Sequence, residues 1–132
     1  MRILIDTNVF LEVLLNQRQA QAAKDFLLKS DQHEFFISNF ALHSICVILL
    51  RRRKLLPLEQ FLADTIGAGR VAVLSLNSSE LTLVIGSTQL LGLDFDDAYQ
   101  YVVAEKHNLT LASFDSGFDN TPRGRQHPQA IV

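Results

Sequence analysis

The sequence has a single cysteine, little excess of either charge and no long apolar run. Cys46 has no partner in the chain for a disulfide, so we expect a small buried side chain in a reducing compartment. Twelve basic residues against fourteen acidic ones exclude a general phosphate-coating protein of the histone kind. No stretch approaches the roughly 18 apolar residues of a membrane helix, and the start at Met1 has no apolar signal segment. These absences predict a cytoplasmic protein without a membrane partner.

The amount of apolar material bounds the number of domains. The chain has 132 residues, of which 48% are hydrophobic. This is enough for one core, whereas two domains would each be too small. No internal repeat or low-complexity tract divides the chain. We therefore expect one domain over residues 1–132, with an irregular basic tail from about 120 to 132.

Short apolar runs alternate with helical patterns along the chain. The predicted strands are residues 3–5, 35–37, 71–74 and 109–112, with 130–132 as a further edge strand. The predicted helices are residues 9–14, 18–29, 40–50, 56–66, 80–91 and 95–107. Strands separated by helices favour parallel βαβ units. We predict an α/β fold with a central parallel sheet of four to five strands and helices on both faces.

Acidic residues follow the first and the last of the four main strands. Asp6 directly follows residues 3–5, and Asp115 lies just beyond residues 109–112. Functional groups in open parallel sheets collect beyond the carboxyl ends of the strands, so these carboxylates meet if the two strands are neighbours. Asp97 lies on the helix before the last strand. A tight crossover would place the start of this helix at the opposite edge, so the pattern alone does not bring Asp97 to the site.

Three short motifs follow one another in a characteristic order. The first is Ile5-Asp6-Thr7-Asn8-Val9-Phe10, the second is Asp97-Ala98 followed by Ala104, and the third runs from Asn108 to Asp115, with Phe118 after it. In residue type and spacing these motifs resemble those of PIN domains, the nuclease domains of VapC-type toxins in bacterial toxin–antitoxin pairs. The resemblance extends from residue 3 to about 119.

The resemblance implies a metal-dependent ribonuclease. Asp6, Asp97 and Asp115 would converge to bind Mg²⁺ or Mn²⁺ and act as the catalytic acids that hydrolyse phosphodiester bonds of RNA. Hard divalent cations take oxygen ligands, and a bound metal activates water and neutralises the leaving oxygen. Because packed like charges repel without a cation, we expect added Mg²⁺ or Mn²⁺ to raise the melting temperature.

One position departs from the family pattern. VapC-type domains usually carry a glutamate on the helix after the second strand, and Ser44 stands at that position here. A hydroxyl is a neutral and weaker ligand, so the site loses a charge. His43 could turn inward, Glu12 or Asp119 could substitute, or one metal could suffice. His43 is the least favoured substitute, because imidazole prefers softer metals.

Further residues have supporting roles in this interpretation. The side chains predicted to support the acids are Asn8, Glu12, Ser44, Ser113 and Asp119. The basic residues predicted to contact RNA phosphates are Arg51, Arg52, Arg123 and Arg125.

Several of the candidate residues also have a purely structural interpretation. Asp94 and Asp97 have the spacing of a capping box. Asp6 and Asp115 could be turn residues, and residues 51–54 could be a solvated helix end.

Two functions from different classes remain open. The first is an RNA-cleaving toxin that forms a homodimer and is neutralised by a small antitoxin covering the acidic cleft. The second is a catalytically degenerate PIN domain that binds RNA or a partner protein, with Ser44 as its mark. Phosphatase or phosphoacceptor chemistry on Asp6 is less favoured, because Asn8 stands where a second acid would be required. Dimerisation rests on the apolar segment 40–50 and on the family resemblance.

Overall fold

Four parallel strands form one sheet in the order β3-β2-β1-β4. The computed structural model describes residues 1–132. The strands are β1 (Arg2–Ile5), β2 (Glu34–Ser38), β3 (Val71–Leu74) and β4 (Thr110–Ala112). In β1, Ile3 lies opposite Phe35 of β2 and Thr110 of β4, and every pairing is parallel. The predicted α/β class with a parallel sheet is confirmed, and the first and last strands are neighbours.

Six α-helices connect these strands. They are α1 (Thr7–Leu14), α2 (Ala20–Leu27), α3 (Asn39–Arg51), α4 (Leu55–Phe61), α5 (Leu81–Leu91) and α6 (Phe95–His107). A π-helical turn over Leu62–Gly67 continues α4, and 3₁₀ turns occur at Ser78–Glu80, Ser116–Asn120 and Pro128–Ala130. None of the helices has both the length and the apolar character needed to cross a membrane.

Each face of the sheet has its own hydrophobic core. Ile3 and Ile5 pack on one side with residues of α1, α2, α3 and α4. Leu4 and Leu111 pack on the other side with residues of α5 and α6. This division follows from the alternation of side chains along a strand. It confirms that helices cover both faces.

Helix α3 is buried along one stripe only. Ser38 caps its start, since its Oγ accepts a hydrogen bond from the backbone N–H of Ala41 at 3.0 Å. Ala41, Ile45 and Leu49 are fully buried at helical spacing. The side of the helix carrying Val47 and Leu50 is exposed, at 46% and 54%. Cys46 is free and partly buried against the core.

The end of the chain does not form the predicted edge strand. Only Gln126 pairs with β4, through a single bridge to Ala112. Residues Pro128–Ala130 form a 3₁₀ turn instead, because proline has no N–H to donate to a ladder. Ile131 then packs into the core at 2% exposure, and its carbonyl accepts a hydrogen bond from Lys29. The strand predicted at residues 130–132 is therefore wrong, and the sheet has four strands.

Candidate functional site

A small polar cavity lies beyond the carboxyl ends of β1 and β4. Its volume is about 290 Å³. We call it the acid cavity, because four carboxylates line it, those of Asp6, Asp96, Asp97 and Asp115. The other lining residues are Thr7, Asn8, Leu11, Phe40, Ser44, Ile48 and Gln100. The cavity thus receives side chains from the end of β1, from α1 and α3, from the start of α6 and from the loop after β4.

Asp6 is the most deeply placed of these acids. It directly follows β1 and caps α1, and only 6% of its surface is exposed. Its Oδ1 accepts hydrogen bonds from Thr7 N at 2.8 Å and Gln100 Nε2 at 3.2 Å. Its Oδ2 accepts from Ser113 Oγ at 2.7 Å and Asn8 Nδ2 at 3.3 Å. Burial raises the pKa of the Asp6 carboxyl above its usual value, and the bonds from Ser113, Gln100 and Thr7 only partly offset this rise.

Asp97 reaches the acid cavity because of the direction of α6. A helix that leads into a parallel strand runs antiparallel to that strand, so it begins at the carboxyl edge of the sheet. The end of α6 accordingly lies at the start of β1, where Arg2 Nη1 donates to the carbonyl of His107 at 3.0 Å. The start of α6, with Asp97, lies at the opposite end of the helix and lines the cavity. The expectation that a tight crossover would carry Asp97 to the other edge is therefore wrong.

Asp94 and Asp97, at the start of α6, have different roles. Asp94 caps the helix, since its Oδ1 accepts a hydrogen bond from Asp97 N at 3.1 Å. The carboxylate of Asp97 does not complete a capping box and faces the cavity instead. Burial, and then the negative charges of Asp94, Asp6 and Asp115, raise the pKa of Asp97 to about 7. Asp97 therefore carries uncompensated charge repulsion in the absence of a cation.

Asp115 and Asp6 are joined through one hydroxyl group. The Oγ of fully buried Ser113 donates to Asp6 and accepts hydrogen bonds from Asp115 N at 2.9 Å and Asn8 Nδ2 at 3.2 Å. The Oδ1 of Asn8 in turn accepts from Phe114 N at 3.3 Å. These bonds connect the segment after β1 with the segment after β4. Asn8 and Ser113 thus lie beside the acids, where the sequence predicted supporting residues.

The other predicted substitutes for the missing glutamate lie elsewhere. The Oε2 of Glu12 accepts a hydrogen bond from Gln19 N at 3.0 Å and closes the turn between α1 and α2. Asp119 forms an ion pair with Arg125 at 3.0 Å. His43 is exposed and does not line the acid cavity. Ser44 does line it, so α3 offers a hydroxyl there and no carboxylate.

The predicted RNA-contacting arginines fall into two groups. Arg51 and Arg52 are exposed at the end of α3, and neither belongs to an ion pair. Arg123 and Arg125 hold the tail in place. Arg123 donates to Asn108 Oδ1 at 3.1 Å, and Arg125 pairs with Asp119 and donates to a backbone carbonyl just after β4. The guanidinium groups of Arg51 and Arg52 are therefore not engaged in ion pairs that a phosphate would have to break.

The donor chemistry of the acid cavity fits a hard divalent cation. Every polar group that faces it offers oxygen, apart from the amide nitrogens of Asn8 and Gln100, and such groups suit Mg²⁺ and Mn²⁺. No three acidic, histidine or cysteine side chains stand close enough together to form a ready-made ligand set. A cation would therefore have to draw the carboxylates of Asp97 and Asp115 toward that of Asp6.

Gln100 is a site residue that the sequence did not indicate. It lies three residues after Asp97 on α6, and it is 98% buried, with an exposed fraction of 2%. The available signal was one polar residue within the buried run from Ala98 to Ala104. A lone glutamine in such a run gives no periodic pattern.

The fold and the site define a class of protein, namely an α/β domain with acidic residues at the carboxyl edge of a parallel sheet. The model of the PIN domain family matches residues 3–124. Because this match covers nearly the whole chain, the protein belongs to the PIN domain family. A search among curated proteins gave no match.

Solved structures of three assemblies contain chains with this fold. A chain of a toxin–antitoxin complex from Klebsiella pneumoniae is 17% identical with a TM-score of 0.70, over 98% of this chain and 99% of that one. A chain of VapBC2 from Rickettsia felis, bound to a DNA fragment from its promoter, is 15% identical with a TM-score of 0.73, over 96% and 98%. A chain of FitAcB from Neisseria gonorrhoeae is 21% identical with a TM-score of 0.66, over 98% and 99%. At these identities the likeness establishes a shared fold.

Proposed function

We propose that this protein is a metal-dependent endoribonuclease and the toxin of a bacterial toxin–antitoxin pair. The observation that carries the proposal is that Asp6, Asp97 and Asp115, which are far apart in the chain, line one cavity at the carboxyl edge of the sheet. The family membership and the fold shared with chains of toxin–antitoxin complexes support it.

The three aspartates would hold Mg²⁺ or Mn²⁺ in this cavity. When bound, the cation supplies an activated water molecule and neutralises charge on the leaving oxygen of the phosphodiester. The protein's own contribution is to position the carboxylates. Ser113, Asn8 and Gln100 hold the Asp6 carboxylate through three side-chain hydrogen bonds, so its oxygens keep fixed directions.

A path for the RNA backbone continues from the acid cavity along α3. Phe40, Ser44 and Ile48 recur every four residues and line the cavity from one side of this helix. The same spacing next reaches Arg52, beside Arg51, about 6 Å further along the helix axis. We propose that these two arginines contact phosphates of an RNA strand whose scissile bond lies in the cavity.

We also propose two protein partners and a cytoplasmic location. The first partner is a small antitoxin that covers the acid cavity, as suggested by the toxin–antitoxin assemblies that share the fold. The second is another copy of this chain. Exposed apolar side chains on α3 and α5, such as Leu50, Leu83, Ile85 and Leu90, supply apolar surface for a dimer. The mass in solution, measured by light scattering, tests the dimer.

A second candidate function is a catalytically degenerate PIN domain that binds RNA or protein without cutting. Two observations favour it: Ser44 stands where the family pattern has a carboxylate, and no three acids form a ready-made ligand set.

RNA cleavage with Mg²⁺ and Mn²⁺ separates the two candidates. The native chain is compared with Asp6→Asn, Asp97→Asn and Ser44→Glu. Asp31→Asn is the control, because it removes the same charge from an exposed residue that does not line the cavity. Metal-dependent cutting that is lost in the first two variants and kept in the control supports the enzyme. Cutting that begins only with Ser44→Glu supports the degenerate domain.

A further inference from the structure

Among the buried side-chain nitrogen and oxygen atoms, one has no hydrogen-bond partner, and it belongs to a residue that lines the acid cavity. This atom is Oε1 of Gln100, whose side chain is 2% exposed and lines the cavity. The other end of the same amide is engaged, since Nε2 donates to Asp6 Oδ1 at 3.2 Å. Folded proteins rarely bury a carbonyl oxygen without a donor or a cation, because it has lost its water. Gln100 Oε1 is therefore expected to bind a group that the protein itself does not supply.

Exchanging the two amide atoms does not remove the problem. The oxygen would then face the carboxylate oxygen of Asp6, with which it cannot form a hydrogen bond, and the NH₂ group would lose its acceptor. Both oxygens of the Asp6 carboxyl group already accept hydrogen bonds from other protein groups, so the bond from Nε2 fixes the amide orientation. Gln100 thus presents an acceptor that no protein group satisfies.

The position of Gln100 matches what the site lacks. Residues three apart on a helix lie on the same side, so Gln100 and Asp97 face the cavity together from α6. Across the cavity, α3 provides the hydroxyl of Ser44 instead of a carboxylate. Amide carbonyl oxygens, like carboxylates, are suitable ligands for Mg²⁺ and Mn²⁺. The oxygen that is missing on α3 is therefore available on α6.

We propose that Gln100 Oε1 is an oxygen ligand of the divalent cation, directly or through one water molecule, and that it takes the place of the carboxylate absent at Ser44. The inference rests on the proposed metal-dependent function. Gln100 then has two tasks: its nitrogen orients Asp6, and its oxygen completes the ligand set formed with Asp6, Asp97 and Asp115.

Calorimetric titration of the full chain with Mn²⁺ tests this assignment without any cleavage assay. The native chain is compared with Gln100→Leu, Gln100→Glu, Asp97→Asn and the control Gln89→Leu, each first freed of metal with a chelator and checked by circular dichroism. Gln100→Leu should weaken Mn²⁺ binding about 10- to 100-fold, the loss typical of groups that support a metal site. Gln89→Leu makes the same change at an exposed position on α5 that does not line the cavity, so it should leave the affinity unchanged. Gln100→Glu should bind Mn²⁺ at least as tightly as the native chain and show a larger Mn²⁺-induced rise in melting temperature.

The glutamate variant separates a ligand from a residue that only orients Asp6. If Gln100 acts solely through Nε2, then glutamate, which has no donor, should weaken binding as much as leucine does. That result would overturn the assignment. Glutamate also decides the question if Gln100→Leu does not fold.

Failure of this inference is distinguishable from failure of the proposed function. If the native chain binds Mn²⁺, Asp97→Asn abolishes binding and Gln100→Leu leaves the affinity unchanged, the metal site stands and Gln100 is not part of it. If the native chain binds no Mn²⁺ at millimolar concentration, the metal-dependent function and the role of Gln100 are both overturned.

Discussion

Replacing Asp97 with asparagine should stabilise the metal-free protein, and only above a certain pH. Burial and the neighbouring carboxylates raise the pKa of Asp97 from 3.8 to about 7 in the folded protein. Between these values the folded chain holds a proton that the unfolded chain has released. The free energy of unfolding contributed by this group therefore falls as the pH rises from about 4 to about 7. Asparagine cannot ionise, so the variant avoids the loss.

The size of the effect follows from the shift. A change of about 3 pKa units corresponds to about 4 kcal/mol at 1.36 kcal/mol per unit. Asp97 is only partly buried, and solvent screening reduces the value, so we expect roughly half of it, about 2 kcal/mol. The variant should thus be about 2 kcal/mol more stable than the native chain at about pH 8 and nearly equal to it at about pH 4.

Urea unfolding in the presence of a chelator measures both values. Asp96→Asn is the matched control, because the exposed neighbour Asp96 lies on the same first helical turn and its loss removes the same favourable interaction with the helix dipole. The control should show no comparable gain at high pH. The reasoning is refuted if Asp97→Asn is no more stable than the native chain at about pH 8, or if its gain is the same at both pH values.

Three further predictions concern the surroundings of the acid cavity. Ser113→Ala should lower the free energy of unfolding by about 2 kcal/mol, because Asp6 loses a buried hydrogen bond of 2.7 Å; urea unfolding at neutral pH measures it, and an unchanged midpoint would contradict it. Asp94→Ala should cost about 1 kcal/mol through loss of the α6 cap, and Asp94→Ser should recover most of this; thermal melts of both variants decide. Replacing Arg51 and Arg52 with glutamine should reduce the salt dependence of RNA binding, because two phosphate contacts are lost. The slope of log K against log salt should become shallower by about 1.4 for a single strand. Filter binding at several salt concentrations measures the slope, and an unchanged slope would contradict the prediction.

Most of the fold could be predicted because its signals are local. The predicted helix at residues 95–107 coincides with α6, since Asp94 caps its start and Asn108 ends it in a left-handed conformation. The four strands were visible as short apolar runs that end in polar turns. The prediction of a strand at residues 130–132 was wrong because the conformation there depends on Pro128 and on the packing of Ile131 into the core. The packing of Ile131 is a tertiary effect.

The site could be predicted only in part, because its geometry depends on how distant segments pack. Asp6 and Asp115 follow strands, so their edge of the sheet was evident from the sequence. The inward position of Asp97 depends on the direction of α6 relative to the sheet. The sequence left Glu12 as a candidate substitute for the missing glutamate, because the backbone N–H of Gln19 becomes its partner only when α1 and α2 meet. That Gln100 Oε1 lacks a hydrogen-bond donor can be recognised only when the positions of all the neighbouring donors are known.

The hydroxyl of Ser113 has a consequence for the order of events on the ribosome. It joins residues near the beginning of the chain to residues near its end, and β1 has no neighbour on one side until β4 pairs with it. Synthesis proceeds from the amino terminus, so a nascent chain carries Asp6 long before its partners emerge. A growing polypeptide of this protein therefore cannot bring Asp6 and Asp115 together until β4 and the residues that follow it have left the ribosome.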